Sequence, residues 1–287
     1  MPITANEALL GFAAPAMVAA AVYWIAQRFL PLEARERWPA NLAIGAGFLT
    51  GYALLRYAPW QPTSHWHWAP YALTLSILLG SAASAKEISL LERILLYATA
   101  AWVAAWFLVP TYDDLDPSRA AHLIGWPLYL LLIALPLDAV TRRMNGPLLP
   151  AVVTLSLAVG MAIVFLSGNA KLTQILGFGL AALLGVTLSS FLSKEKPALL
   201  GAALPITFLS GSYLLVARVQ SFSDVPMLCY ALPPLAPLLL AVGLWSPLAE
   251  RKGVSGMALR LLLPAIVCLV ALGVAIWAEQ GSLSESY

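Results

Sequence analysis

The stretch Leu148–Ser167, LLPAVVTLSLAVGMAIVFLS, carries no charge. After Gly168-Asn169-Ala170 it is followed by Lys171–Ser193, KLTQILGFGLAALLGVTLSSFLS, in which Lys171 is the one charged residue. A helix needs about 20 apolar residues to cross the hydrocarbon core of a bilayer, and both runs meet that length. Strands of a membrane barrel alternate apolar and polar positions, whereas these runs are continuous, so a barrel is excluded.

Working outward in both directions, the same texture recurs. Ten apolar segments are expected, at 7–30, 40–58, 69–85, 93–110, 120–140, 148–167, 171–193, 197–217, 226–249 and 257–279. Of 287 residues, 61% are hydrophobic and 10% charged, with a mean hydropathy of +0.82. Soluble domains carry about 25% charged residues. The reading is an all-α, polytopic integral membrane bundle of about ten transmembrane helices. It forms a single transmembrane domain over 1–287, and ten spans leave no length for a soluble catalytic domain. A net charge of +2 excludes a strongly basic nucleic-acid binder. Cys229 and Cys268 lie in apolar runs and read as small buried hydrophobes rather than as a disulfide or metal framework. Met1–Glu7 lacks the positive charges of a signal peptide.

The connections set orientation. Odd-numbered ones and their helix ends hold 12 of the 16 Lys and Arg, and even-numbered ones hold Arg56, Arg119, Lys171 and Arg218. The positive-inside rule then puts the odd connections in the cytoplasm. The expected location is the cell (inner) membrane, with both termini outside the cytoplasm. Trp38 and Trp245 flank the inner face, and Trp60, Trp66, Trp68, Trp106, Trp126 and Trp277 gather toward the outer one, as an aromatic belt does.

Connections also resemble one another. Pro31-Leu32-Glu33-Ala34-Arg35, Pro136-Leu137-Asp138-Ala139 before Arg142-Arg143, and Pro247-Leu248-Ala249-Glu250-Arg251 form one set. Ser84-Ala85-Lys86-Glu87 and Leu192-Ser193-Lys194-Glu195 form another, and Leu148–Val153 matches Leu262–Val267. The expectation is a parallel repeat of helical hairpins, four plus four plus two, over 7–110, 120–217 and the half-unit 226–279. An even number of helices per unit preserves orientation, whereas inverted repeats need an odd number.

Small residues recur four apart in segment seven (Gly177, Ala181, Gly185, Ser189) and segment two (Ala43, Gly47, Gly51). Such stripes let helix backbones approach closely, within one bundle or in self-association. Segment nine holds Pro226, Pro233, Pro234, Pro237 and Pro247. Each interior Pro removes an amide donor, and the freed carbonyls must be satisfied by protein or by water in a cavity. A broken helix at mid-membrane is a device for building substrate sites. The expected substrate pathway comprises Tyr230, Pro233, Pro234 and Pro237, with Ser210 and Ser212 as neighbours on segment eight.

Ionisable residues at mid-membrane mark proton relays; Asp138 lies near the inner end of segment five and Glu279 near the outer end of segment ten, so no relay is read. Gly253-Val254-Ser255-Gly256 resembles a serine nucleophile motif but has no base at hand, since all three His fall on the outer side. The outer face holds the one polar cluster: His65 and His67 in connection two, Asp113, Asp114 and Asp116 in connection four, and His122 shortly after. Imidazoles and carboxylates suit a divalent metal, and in an extended segment both His of His65-Trp66-His67 share a face.

Three readings of function follow. The first is a small-molecule or lipid transporter or permease without a buried proton-relay charge. The second is a non-catalytic subunit or assembly factor of a membrane complex. The third is a membrane enzyme acting on a lipid or isoprenoid. The partners implied are membrane lipids, with other membrane subunits or a second copy, and no nucleic acid. On the orientation read here, a C-terminal alkaline phosphatase fusion is active and a C-terminal GFP fusion is dark; the reverse pattern inverts the topology.

Overall fold

A computed structural model describes residues 9–85, 87–113, 115–192, 198–221, 223–244 and 254–285. The described residues are 81% helical, with no strand among them. Segment one is a π-helical turn, Leu9–Ala13, that runs into an α-helix, Ala14–Phe29. Segments two to seven are Pro39–Leu54, Ala69–Ala83, Leu90–Leu108, Arg119–Arg143, Leu148–Leu166 and Ala170–Ser190. Segment eight is Ala203–Thr207, a π-helical turn Phe208–Ser212, and Tyr213–Val219. Segment nine is Met227–Leu235 followed by a 3₁₀ stretch, Ala236–Leu244, and segment ten is Val254–Glu285.

Among the described residues, six helices are long and apolar enough to cross a bilayer: Leu9–Phe29, Leu90–Leu108, Arg119–Arg143, Leu148–Leu166, Ala170–Ser190 and Ala258–Gln280. The protein is thus an all-helical bundle of membrane type. The expected ten equal spans are not what the helix lengths give. Segments two and three have 16 and 15 residues, about 24 Å at 1.5 Å per residue. Segments eight and nine, Ala203–Val219 and Met227–Gly243, are shorter apolar helices, and each changes its winding part-way.

Helix starts follow local chemistry. Ser89 Oγ accepts from the Glu92 N–H, and the Glu92 carboxylate accepts from the Ser89 N–H at 2.7 Å, a capping box that opens segment four. Asn169 Oδ1 accepts from the Leu172 N–H at 3.1 Å and opens segment seven.

Even-numbered connections gather at one end of the bundle. Gln220 Nε2 lies 2.6 Å from His65 Nε2, Tyr57 Oη donates to Lys171 O at 2.6 Å, and the His65 and Tyr112 rings meet edge to face. The described parts of connections one, three, five and seven gather at the other. There Asn41 Nδ2 lies 3.1 Å from both Arg37 O and Gly201 O, and 2.5 Å from Ser81 Oγ. Gly201 has φ +81°, and a Cβ there would lie 2.8 Å from Arg37 O, so the junction requires glycine. At the same end Asp138 is 1% exposed. Its carboxylate accepts from Arg142 Nε at 2.9 Å and faces Arg93 Nη1 at 3.4 Å. Arg93 Nε also donates to Ala83 O at 3.0 Å, which ties segments three, four and five together. Asp138 therefore serves as a buried structural ion pair, not as a lone charge.

The small-residue stripes are used inside the bundle. Segments two and seven both pack on segment one. A Cβ at Gly47 would lie 2.7 Å from Ala182 Cβ and 2.8 Å from Pro15 O; one at Gly185 would lie 2.3 Å from Ala16 O. Backbone approach of this kind, rather than the hydrophobic effect, holds helices together in lipid.

Of the repeated stretches, Leu148–Val153 begins its helix, whereas Leu262 lies about two turns inside Val254–Glu285. Trp245, Lys86, Ser193–Lys196, and 247–253 with the third loop match and Gly253, lie outside the described residues.

Gly→Ala should separate packing from propensity. Alanine in a helix is favoured over glycine by about 1 kcal/mol. Gly125 has nothing within 4 Å of its Cβ direction, so Gly125→Ala should keep or raise the thermal midpoint in detergent. Gly185→Ala should lower it, by an overpacking cost of about 1–3 kcal/mol. Equal midpoints for the two variants would contradict the close approach at Gly185.

Candidate functional site

One face of segment five, Ala121, His122, Gly125, Trp126 and Tyr129, lines a cavity of ≈ 1290 Å³ at the end where the even connections meet. These positions fall at i, i+1, i+4, i+5 and i+8, one side of a helix. Small side chains at 121 and 125 leave the room, and the aromatic rings at 126 and 129 form the wall. Opposite stand Leu215, Arg218, Val219 and Gln220 from segment eight, Asn169, Lys171 and Leu172 from the start of segment seven, and Met227 and Ala231 from segment nine. Trp66, Tyr112, Leu115, Asp116 and Pro117 complete the mouth. The cavity is amphipathic, as ligand sites commonly are: mostly apolar and aromatic walls with a few polar groups. A smaller cleft of ≈ 630 Å³ adjoins it, sharing Asn169, Lys171 and Gln220 and adding Ser223, Asp224 and Glu279.

Segment nine forms the floor. Pro237 has no N–H to offer the Pro233 carbonyl four residues back; that carbonyl accepts from the Ala236 N–H and from Ser156 Oγ of segment six. Two residues earlier, Tyr129 Oη donates to Ala231 O at 2.7 Å. The α-helix passes into a 3₁₀ winding at Ala236, next to the proline pair. Side chains of segments five and six thus reach two carbonyls of segment nine, one of them freed by a proline.

Of the expected pathway residues, Tyr230, Pro233, Pro234, Pro237, Ser210 and Ser212 are all buried, and none lines the cavity, which stops at Ala231. Ser210 Oγ donates to Ile206 O at 2.8 Å in its own helix. The buried hydroxyls of Tyr230 and Ser212 have no hydrogen-bond partner among the described residues.

The outer-face His and Asp residues are only partly brought together. His65-Trp66-His67 lies in a 3₁₀ turn, His65–Trp68. At three residues per turn, positions i and i+2 point in different directions. His65 Nε2 turns to Gln220, while His67 Nδ1 accepts from the Thr63 N–H at 3.1 Å. His122 Nδ1 donates to Ser118 O at 3.2 Å. Asp116 and His122 line the cavity, whereas His65 and His67 do not. Among the described residues no group of three or more His, Cys, Asp or Glu converges as a metal site. Asp113 is exposed, and Asp114 lies outside the described residues.

Residues the sequence reading did not single out now carry the site: Trp126, Tyr129, Lys171 and Arg218. Their signal was present in the Ala121/Gly125 spacing beside Trp126, and in an arginine ending an apolar run on the side poor in positive charge.

Burial, and then the neighbouring His67, hold the His65 imidazolium down to about 4. Burial first, and then Lys171, lower His67 as well. An unfolded chain takes up the His65 proton near pH 6.5, and the folded one does so only near pH 4. Acid therefore favours unfolding across that window, and stability rises with pH through it. Tryptophan-detected melting in mild detergent should show a midpoint that falls from pH 6.5 toward pH 4, with a smaller fall in His65→Gln. An unchanged fall in that variant would remove His65 as its source.

No family model, no curated protein and no solved structure matches the chain.

Proposed function

We propose that this protein is a transporter or permease for a small molecule or lipid, crossing the cell membrane ten times, and that the cavity above segment nine is its outer binding vestibule. The observation that carries the reading is that amphipathic cavity, closed at its floor by a helix whose winding changes beside three prolines. The gathering of even and odd connections at opposite ends supports ten crossings, with segments two, three, eight and nine as shorter members held by their neighbours. The charge bias supports an outward-facing cavity end. Asp138 is neutralised by two arginines, and this agrees with transport that uses no buried proton relay.

Alternating access requires residues below Ala231 to be reached from the other side. In a Cys229→Ser/Cys268→Ser background, Ala231→Cys should react with a membrane-impermeant thiol reagent added outside. Leu240→Cys, on the far side of the prolines, should react in inverted vesicles. Reaction at 231 with none at 240 under any condition would overturn the transport reading.

A second reading, a non-catalytic subunit of a membrane complex, is favoured by one observation. The middle of the bundle is sealed, with Tyr230 at 0% and Cys229 at 1% exposure. On that reading the inert Leu240→Cys would be accompanied by membrane subunits that copurify stoichiometrically in mild detergent.

A further inference from the structure

We infer that the outer cavity binds an amphipathic monoanion, a carboxylate or phosphate borne on a ring or hydrocarbon body, with the Arg218 guanidinium holding the anion and the apolar and aromatic wall holding the body. This rests on the reading of the cavity as a binding vestibule, and it names the class of substrate.

An unpartnered cation and the wall around it point the same way. Arg218 is half-buried in the cavity wall, and its guanidinium makes no ion pair or hydrogen bond among the described residues. It sits in the last turn of Tyr213–Val219, where a cation is favoured by the helix dipole, yet that leaves its planar fork of donors unfilled. A guanidinium recognises carboxylate and phosphate through paired hydrogen bonds.

The charge count selects a single negative charge. Lys171 and Asp116 also line the cavity, but both are exposed and of opposite sign at its mouth. His122 is engaged with the Ser118 carbonyl. Arg218 is left as the cation set back from water. The rest of the wall asks for an uncharged body: Tyr129 and Trp66 offer ring faces, and Leu172, Leu215, Val219, Met227 and Ala231 offer aliphatic surface. A neutral ligand would leave Arg218 unanswered in the wall, and a cation would meet like charge.

The anion is either a free amphiphile or a lipid headgroup, and the test separates them. Full-length protein in phosphatidylcholine nanodiscs is titrated with naphthalene-2-carboxylate and with its neutral isostere naphthalene-2-carboxamide, read by tryptophan fluorescence. The carboxylate should bind on the order of tenfold or more tightly than the amide. Arg218→Gln should abolish that difference and leave amide binding intact, and Arg218→Lys should restore part of it. Gly125→Trp, at a position with open space around it, should block both ligands while the protein still folds. Competition of the carboxylate by phosphatidylglycerol added to the nanodiscs, with that lipid retained in native mass spectra of wild type but not of Arg218→Gln, assigns a lipid source; lack of competition assigns a soluble one. Equal binding of acid and amide to the wild-type protein overturns the inference whatever the variants do. That outcome leaves the cysteine-labelling result standing, so failure of the ligand class and failure of transport are told apart.

Discussion

Inside hydrocarbon a backbone carbonyl that loses its helical partner has no water to turn to. That constraint governs where this bundle may depart from regular helix. Segment nine departs most, through Pro233, Pro234 and Pro237, and it does so where Ser156 and Tyr129 of two neighbouring segments reach its carbonyls. Gly201, at the turn into segment eight, points its carbonyl at Asn41. At both places a side chain on another segment reaches the irregular backbone. The irregular members need their neighbours in place, and the long uninterrupted helices supply the frame.

The two ends of the bundle are built differently. At the positively charged end, polar side chains are spent on one another: Asp138 with Arg93 and Arg142, and Asn41 with two carbonyls and Ser81. At the opposite end the Arg218 guanidinium has no partner among the described residues, and Gly125 and Ala121 line the same cavity. The first arrangement resists opening, because separating those segments would strand charges and carbonyls away from water. The second is poised to accept something. An anion held there would share the wall with the phenol that caps Ala231, so occupancy and the shape of segment nine meet at Tyr129.

The helical bundle was legible in the sequence because unbroken apolar runs admit no other membrane fold. The stripes at Gly47 and Gly185 read correctly as close-approach faces, and the structure spends them within one bundle against Ala16 and Ala19. Helix length was less legible. The apolar segment runs on to Ala58, but its helix ends at Leu54, since hydropathy does not report where the backbone turns. The paired histidines misled because an extended backbone was assumed, and a 3₁₀ turn sends the two rings to Gln220 and Thr63. The cavity escaped notice because its wall is assembled from residues as far apart as Trp66 and Ala231, and no local pattern joins them.

The hydrogen bonds that support segment nine also have an order in time. The chain enters the membrane from its N-terminus, so segments five and six, which carry Tyr129 and Ser156, are made before the carbonyls of Ala231 and Pro233 exist. When the proline-rich segment leaves the insertion machinery, its donors already stand in the bilayer. A helix poorly suited to enter lipid alone can then partition directly against a prepared surface. Moving that segment earlier in the chain, with every contact of the finished bundle unchanged, would remove this shelter during synthesis.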